Sequence, residues 1–537
     1  MKKKYVRWTL WTIASPFILF VILCILIYLP PIQNFLVDKA AVYASEATGM
    51  NISVGRISLS FPLNLVVTDV DAASPHNDTL LSVRRLQVNV QLLPLLKKQV
   101  EVDGISLQGA TVNSNDLIHG MKLNGTLGEL FISSHGVALD PETAIVNKVL
   151  LKDTDLSLCL NDTAAADTAA SDTTYWKIIL QDIDLQNVSF ALDMPLDSLS
   201  LAASLDNAIL RDGLIDLHKS AYSLQTFRIK NGRVRYDSGK PLAADSLSSG
   251  LDPSHIALTD IGVKLDSLYY EGRNMKAIIS QFVLKERSGV EIVSATGRMV
   301  SNDKVLRVPS LKLETRDSYL ELNAAMDWNA LDFKGEGLMS ARLMADIGKP
   351  DVVRFMGRMD EKFVRQYPSE PLRIRTGIDG DLNKLKLTTL TAELPGALGL
   401  FARGELTHLT DSLLRGGDIT LEAETKDLKF VSTLAEGIEI PYGTRLEGKF
   451  TMAGTKMGTD LLLMQPEAQA VAAADTIPIT VYNDSISVAD DFKMERAARL
   501  FAKYDLSRDR YEADLAVNHF DLHQFMPADS LYTLSLI

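Results

Sequence analysis

The alternation of apolar and polar residues constrains this chain most, because it begins near Asn51 and continues through most of the 537 residues. Every odd position from Ile57 to Val67 is apolar, and the positions between them are mostly small or polar. A period of two is typical of a strand with one buried and one wet face. The pattern returns in segments that begin at Leu86, Val102, Ile183, Phe227, Leu311 and Leu385. The sequence therefore predicts a mainly β protein.

Glycine or asparagine separates two alternating stretches in several of these segments. The separators are Gln108-Gly109, Gln186-Asn187 and Asn231-Gly232. Because Gly and Asn tolerate a positive φ, we expect tight turns or bulges there. Helical patterns are sparse, and short helices are predicted for 351–367 and 491–504. The segments 161–174 and 245–254 have low complexity and are interpreted as surface loops.

The N-terminus has the pattern of a membrane anchor. Residues 8–29 carry no charge, follow Lys2, Lys3, Lys4 and Arg7, and would form a helix roughly 33 Å long. Positive charge before the span predicts a cytoplasmic N-terminus and an exported remainder. A cleaved signal peptide is the alternative, but its apolar region is usually shorter. The predicted anchor residues are Trp8, Trp11, Phe17, Phe20 and Tyr28.

These patterns divide the chain into a cytoplasmic tip and anchor (1–30), an amphipathic connecting helix (31–50) and an exported β body (51–537). Gly49 is the expected residue just past the end of the connecting helix. The net charge of −13 argues against nucleic acid as a partner, and the four positive residues before residue 8 leave the exported part more acidic still. Two cysteines cannot provide a disulfide framework.

Such a long run of half-buried strands can form a sandwich, a closed barrel or a sheet that curls along its length. Aromatic residues are only 7% and the inward positions are mostly Ile, Leu and Val, which favours an elongated, solenoid-like half-pipe (a β-taco) over a series of small sandwiches. An open half-pipe would leave an apolar groove, where each buried CH₂ gains roughly 0.8 kcal/mol. The same alternation also builds the closed core of ordinary β proteins, so that alternative stays open.

The predicted groove would hold lipid acyl chains, with headgroups at its rim. The lining residues predicted nearest the membrane anchor are Ile57, Leu59, Phe61, Leu63, Leu65, Leu86, Val88, Val90, Leu92, Ile105 and Leu107.

Residues for catalysis or metal binding are few. The chain contains no G-x-S-x-G, P-loop or H-E-x-x-H motif. His519 and His523 would lie about 13 Å apart on a strand, too far to share a metal ion. The segment from Asp379 to Asn383 begins like a calcium loop but lacks the later Gly and Glu, so a hairpin turn is predicted. We therefore expect no enzyme activity, no cofactor and no bound metal.

The first 112 residues resemble the N-terminus of the AsmA-like superfamily, most closely its TamB-type translocation and assembly proteins. The resemblance rests on the anchor, the short helix ending at Thr48-Gly49, and degenerate motifs in 52–57, 65–70, 78–83, 90–96 and 102–110. Residues 377–406 resemble the repeat of the same superfamily.

The resemblance implies an inner-membrane protein of a Gram-negative envelope with a periplasmic β-taco that conducts phospholipid toward the outer membrane. The TamB-type proteins also imply the alternative of an assembly factor or envelope scaffold, whose strand edge would contact an outer-membrane barrel. The family's C-terminal domain is not recognisable, and the last residues alternate without a turn, so we expect a fragment or an early-terminated member.

Overall fold

The computed structural model describes most of the chain from residue 39 to residue 518. The described residues are 39, 41–42, 45–46, 49–60, 64–74, 79–91, 102–114, 120–139, 142–161, 176–239, 250–332, 336–357, 359–434, 440–466, 479–482, 485–488 and 494–518. They are mainly β, which confirms the predicted fold class at this level. The chain divides into two compact units: Met1–Pro241 with Ser254–Glu271 (unit 1), and Leu242–Pro253 with Gly272–Ile537 (unit 2).

Unit 1 contains one long sheet. Neighbouring strands pair antiparallel, except for the parallel pair β6 and β7. The far side of β8 pairs with β10 along its first part and with β9 at its end. The strands are β1 (Asn51–Ser60), β2 (Asn64–Ala73), β3 (Thr79–Val90), β4 (Val102–Asn113), β5 (Met121–Leu139), β6 (Glu142–Leu160), β7 (Lys177–Met194), β8 (Leu199–Asp216), β9 (Ala221–Leu224), β10 (Thr226–Ser238) and β11 (His255–Glu271).

A line of left-handed backbone positions crosses this sheet. The φ angles of Gly109, Asn187 and Asn231 are 61°, 53° and 56°, and those of Asp69 and Asp153 are 55° and 50°. Cross-strand pairing skips these positions, so each one is a local interruption inside a strand. The predicted interruptions at the three Gly and Asn separators are therefore confirmed as bulge-like kinks, and the alternative of tight turns is wrong.

Side chains along this line bond to one another. The Nδ2 of Asn187 donates to the Oδ1 of Asp153 at 2.9 Å, and the side-chain amide of Asn231 donates to Asp206. Gly, Asn and Asp suit these positions, because other L-residues pay roughly 1–2 kcal/mol for left-handed backbone.

We expect Asn187→Val to lower the free energy of unfolding by about 1–2 kcal/mol, because a β-branched side chain disfavours the left-handed conformation most. Asn187→Gly loses the same hydrogen bond to Asp153 but keeps the backbone conformation accessible, so it should cost much less. Urea denaturation followed by circular dichroism measures both variants. Equal losses would show that the hydrogen bond, rather than the backbone, carries the stability.

Unit 2 also contains one long antiparallel sheet, together with a separate hairpin, β23–β24. Its strands are β12 (Asn274–Glu286), β13 (Glu291–Ser301), β14 (Val305–Thr315), β15 (Tyr319–Asp327), β16 (Met339–Ile347), β17 (Leu372–Gly380), β18 (Lys384–Leu394), β19 (Leu398–Thr407), β20 (Gly416–Thr425), β21 (Arg445–Ala453), β22 (Lys456–Pro466), β23 (Ile479–Tyr482), β24 (Ser485–Val488), β25 (Met494–Asp505) and β26 (Arg510–Val517).

Helices are few and short in the described parts of the chain. The α-helices between strands are α1 (Lys349–Met356) and α2 (Glu361–Gln366), and the 3₁₀ helices are Pro195–Asp197, Trp328–Asp332 and Lys429–Thr433. The predicted helix over 351–367 is confirmed as two helices that break at Gly357.

The predicted helix over 491–504 is wrong, because β25 occupies its described residues. Glu495, Arg496, Ala497 and Ala498 favour a helix locally. Pairing with β22 along one side and β26 along the other overrides that preference, since each ladder satisfies the backbone of β25.

A compact apolar cluster in unit 2 lies between the short helices α2 and Lys429–Thr433 and the connected ends of β18 and β19. Phe363 is only 1% exposed, and its ring centroid lies 5.5 Å from that of Tyr367 and 5.7 Å from that of Phe430. Leu394, Ala397 and Leu428 complete the cluster. This is a filled core of ordinary kind, and it holds α2 and Lys429–Thr433 against β18 and β19.

Helix α1 is fixed by a buried carboxylate. Asp351 is fully buried and accepts hydrogen bonds from the hydroxyls of Thr315 and Ser318, the latter at 2.6 Å. The NH1 group of Arg354 lies 3.0 Å from the Oδ1 of Asp351. Gly348 precedes the helix, and a Cβ there would lie 2.3 Å from the carbonyl oxygen of Asp317. The helix start is therefore tied to the turn between β14 and β15.

Candidate functional site

Four rows of residues cross the sheet of unit 1, and we call them together the apolar face. Within each row every residue is the direct cross-strand partner of the next, through β1 to β8, β10 and β11. Row 1 is Ile52, Ala72, Leu81, Val112, Gly125, Leu156, Phe190, Ala203, Val234 and Leu258. Row 2 is Val54, Val70, Val83, Ala110, Leu127, Thr154, Val188, Leu205, Gly232 and Ile261. Row 3 is Ile57, Val67, Leu86, Leu107, Leu130, Leu151, Leu185, Ala208, Ile229 and Val263. Row 4 is Leu59, Leu65, Val88, Ile105, Ile132, Val149, Ile183, Leu210, Phe227 and Leu265.

The line of kinks keeps rows 2 and 3 on the same face. Except in β11, where Ile261 and Val263 are two residues apart, these rows are three residues apart in sequence, which would place them on opposite faces of a regular strand. Across the kink at Asn231, however, a Cβ on Gly232 would lie 3.2 Å from the Cγ2 of Ile229. Across a second kink, at Asp212, a Cβ on Gly213 would lie 2.9 Å from the Cδ2 of Leu210. Residues i and i+3 therefore share a face across these two kinks.

The apolar face carries no charge. Thr154 is the one polar side chain in the four rows, and its hydroxyl donates to the carbonyl of Lys152 at 3.2 Å. The residues next to row 3 point to the other side of the sheet and form an entirely polar row. That row is Arg56, Thr68, Arg85, Gln108, Glu129, Lys152, Gln186, Asn207 and Lys230. The row on that side between rows 3 and 4 is mixed, and its apolar members are Val66, Phe131, Leu150 and Ile209. The sheet of unit 1 thus has one apolar face and one mainly polar face, which we call the polar face.

The larger side chains of the apolar face remain partly accessible to solvent. In the described part of unit 1 the buried hydrophobic residues are Ala72, Leu80, Val83, Ala208 and Ala221. The leucines, isoleucines and valines of rows 3 and 4 are all half-buried. Strand and residue spacings give the four rows an area of roughly 1,000 Å². The exposed apolar area is smaller than this geometric area, because the side chains are partly buried. A contiguous apolar patch that stays partly exposed is a candidate binding surface.

The structure brings most of the predicted lining residues together. Ile57, Leu86 and Leu107 lie in row 3, and Leu59, Leu65, Val88 and Ile105 lie in row 4. Val90 lies two residues beyond Val88 and pairs with Val102. Phe61, Leu63 and Leu92 lie outside the described residues. A lipid-binding role for these residues stays a prediction.

The prediction missed rows 1 and 2 and the continuation of rows 3 and 4 into β5 to β11. A signal was present in the sequence. Apolar residues three apart flank a Gly, Asn or Asp, as in Leu127 and Leu130 around Gly128, or Leu185 and Val188 around Asn187. Where such a three-residue spacing joins two stretches of alternating residues, it indicates that the apolar residues of both stretches lie on one continuous face.

The predicted anchor residues Trp8, Trp11, Phe17, Phe20 and Tyr28 lie outside the described residues. In the part of the chain that is described, no helix is both long enough and apolar enough to span a bilayer. Helical backbone is present at Lys39, Ala41, Val42, Ser45 and Glu46. Gly49 has the expected left-handed conformation, with φ at 72° and its N–H bonded to the carbonyl of Ser45 at 2.9 Å.

The segment with a calcium-like beginning is the turn between β17 and β18, as predicted. The Oδ1 of Asp381 accepts from the backbone N–H groups of Asn383 at 2.8 Å and Lys384 at 2.7 Å. His519 and His523 lie outside the described residues. Among the residues that the structure covers, no group of three or more His, Cys, Asp and Glu side chains could hold a metal ion.

A scan against protein-family models finds no match, and a search of curated proteins finds no similar chain. The residues of the apolar face therefore indicate what the site can bind. An uncharged aliphatic surface can bind apolar chains through burial alone.

Proposed function

We propose that this chain is a non-catalytic lipid conduit of a Gram-negative envelope, anchored in the inner membrane by residues 1–30, with its β body in the periplasm. Phospholipid acyl chains would lie along the apolar face, and the sheet would curl into a half-pipe around them. The observation that carries the proposal is the apolar face itself, with its partly exposed aliphatic side chains and a single hydroxyl. The predicted anchor and the resemblance to AsmA-like and TamB-type proteins support a location in the inner membrane and periplasm.

Burial energetics support an acyl ligand. Each methylene that leaves water gains roughly 0.8 kcal/mol, so a chain of a dozen methylenes has a gross gain of about 10 kcal/mol. The acyl chain loses conformational freedom on binding, and this loss offsets part of the gain. Because rows 1 to 4 lack charged groups, the surface does not favour any one position of a bound acyl chain. The acyl chain can therefore shift along the surface.

Lipid extraction and mass spectrometry of the purified full chain, in a mild nonionic detergent, test the proposal. We expect at least about one phospholipid per chain to remain bound after extensive washing. Trace amounts only, from a protein that is folded by circular dichroism, would contradict the conduit.

An assembly factor or envelope scaffold is the second candidate, and β26 favours it. Among the described strands β26 pairs with β25 alone, and its Tyr511 and Leu515 are 78% and 65% exposed. A strand edge of this kind can pair with another chain. Cross-linking from β26 to an outer-membrane barrel, without retained phospholipid, would favour this candidate over the conduit.

A further inference from the structure

The polar face of unit 1 carries a run of cations on one strand. Arg228, Lys230, Arg233 and Arg235 of β10 are all exposed. Each is adjacent in sequence to a residue of the apolar face, so all four project from the opposite side of the sheet. This positive surface stands out because the whole chain has a net charge of −13.

Most of this positive charge is not neutralised nearby. Arg235 pairs with Asp237, with the Nε of Arg235 2.6 Å from the Oδ2 of Asp237. The neighbouring cations Arg211 and Lys264 also have carboxylate partners, Asp182 and Asp266. For Arg228, Lys230 and Arg233, by contrast, no ion pair is found within the described ranges.

Two carboxylates on neighbouring strands of the polar face are engaged with other side chains. Asp155 accepts a hydrogen bond from the hydroxyl of Ser189 at 2.7 Å, and Asp206 accepts from the side chain of Asn231. The guanidinium of Arg233 is therefore available to an external anion.

A pocket of about 430 Å³ lies beside Arg233 and Arg235. Its lining comes mainly from two adjacent cross-strand rows of the polar face. One row contains Asp155, Ser189, Ser204 and Arg233, with Asp155 three strands away from Arg233, and the other contains Ala191, Ala202, Arg235 and Ala257. The small side chains beside the two arginines leave a depression with an apolar floor and a cationic rim.

We propose that this pocket binds the headgroup of an anionic phospholipid. A guanidinium can make two parallel hydrogen bonds to phosphate oxygens, and the Ser204 hydroxyl can donate to the same group. The alanine floor suits the glycerol and the first methylenes of the lipid. The pocket volume lies at the lower end of ligand pockets, which fits a headgroup and its neighbouring atoms rather than a whole lipid.

The pocket lining also includes Phe190, Ala203, Val234 and Leu258 of row 1. This inference does not rest on the proposed function, because Arg233 and Arg235 project from the side of the sheet opposite the apolar face. The apolar face would bind acyl chains without regard to headgroup. The ratio of anionic to zwitterionic lipid bound therefore reports on the pocket, whereas the total amount of lipid reports on the apolar face.

Native mass spectrometry of the full chain in neutral detergent, with equal amounts of phosphatidylglycerol and phosphatidylcholine, measures this ratio. We expect phosphatidylglycerol adducts to exceed phosphatidylcholine adducts by about fivefold. Arg233→Gln with Arg235→Gln should bring the ratio close to one. Arg56→Gln with Arg85→Gln removes the same charge from the same face at β1 and β3, and this control should keep the preference.

Hydrogen exchange localises the effect, and phosphatidylglycerol should slow exchange in β10 and β11 of the wild type. An unchanged lipid ratio in the Arg233 and Arg235 variant, or equal loss in the control, would overturn the proposal. Full displacement of the lipid by millimolar inorganic phosphate would reassign the pocket to free phosphate. Displacement by polyglutamate but not by soluble phosphatidylglycerol would reassign it to an acidic peptide. Either of these displacement results would also overturn the proposal of a phospholipid headgroup site.

Discussion

Replacing Phe363 with alanine is expected to lower the free energy of unfolding of unit 2 by about 3–5 kcal/mol. The ring is 1% exposed and contacts both Tyr367 and Phe430, so its removal leaves a cavity where three aromatic rings meet. Because α2 and Lys429–Thr433 meet at this ring, the neighbouring side chains can fill the space only if a helix moves. Urea denaturation and native-state hydrogen exchange of the 359–434 region measure the loss.

Phe355→Ala is the matched control for this prediction. Phe355 lies in the neighbouring helix α1 and is 55% exposed, so the same substitution should cost less than about 0.5 kcal/mol. Comparable losses for the two variants would contradict the assignment of the aromatic cluster as the apolar core of unit 2.

The second large effect is expected on lipid binding. Leu107 and Leu130 are direct cross-strand partners in row 3, and both are half-buried. Leu107→Asp with Leu130→Asp places two carboxylates in the middle of the apolar face. A charge against an acyl chain costs several kcal/mol, and 1.4 kcal/mol is already tenfold in affinity. We therefore expect the amount of co-purifying phospholipid to fall by about tenfold or more.

Thr111→Asp with Thr126→Asp is the control, on the same two strands. These threonines are also direct partners, but they are exposed and project from the polar face. The control should retain wild-type lipid, and both variants should show wild-type circular dichroism. Equal lipid content in the wild type and the row 3 variant would remove the apolar face as the binding surface.

The sequence predicts the β class because a period of two needs no tertiary information. It also marks the kinks at Gly109, Asn187 and Asn231, since the chemistry of Gly and Asn matches a positive φ. It does not predict that the kinks align across strands, because cross-strand register depends on partners that are distant in sequence. A strict period of two places rows 1 and 2 on the face opposite rows 3 and 4, and only the three-residue spacing at each kink corrects this.

Local preference fails where long-range pairing dominates. Residues 494–498 resemble a helix, but β22 and β26 hold them in a strand. The pocket beside Arg233 and Arg235 was also not predictable. It depends on Ala191, Ala202 and Ala257, which are brought side by side only by the pairing of β7, β8, β10 and β11.

Site-specific photo-cross-linking in cells tests most directly whether the apolar face is open to lipid. Benzoylphenylalanine at Leu130 or Leu151 would lie on the apolar face, and the same probe at Glu129 or Lys152, one residue away, would lie on the polar face. We predict phospholipid adducts at Leu130 and Leu151 and none at Glu129 and Lys152. Adducts at neither pair, or equal adducts at all four positions, would contradict the account.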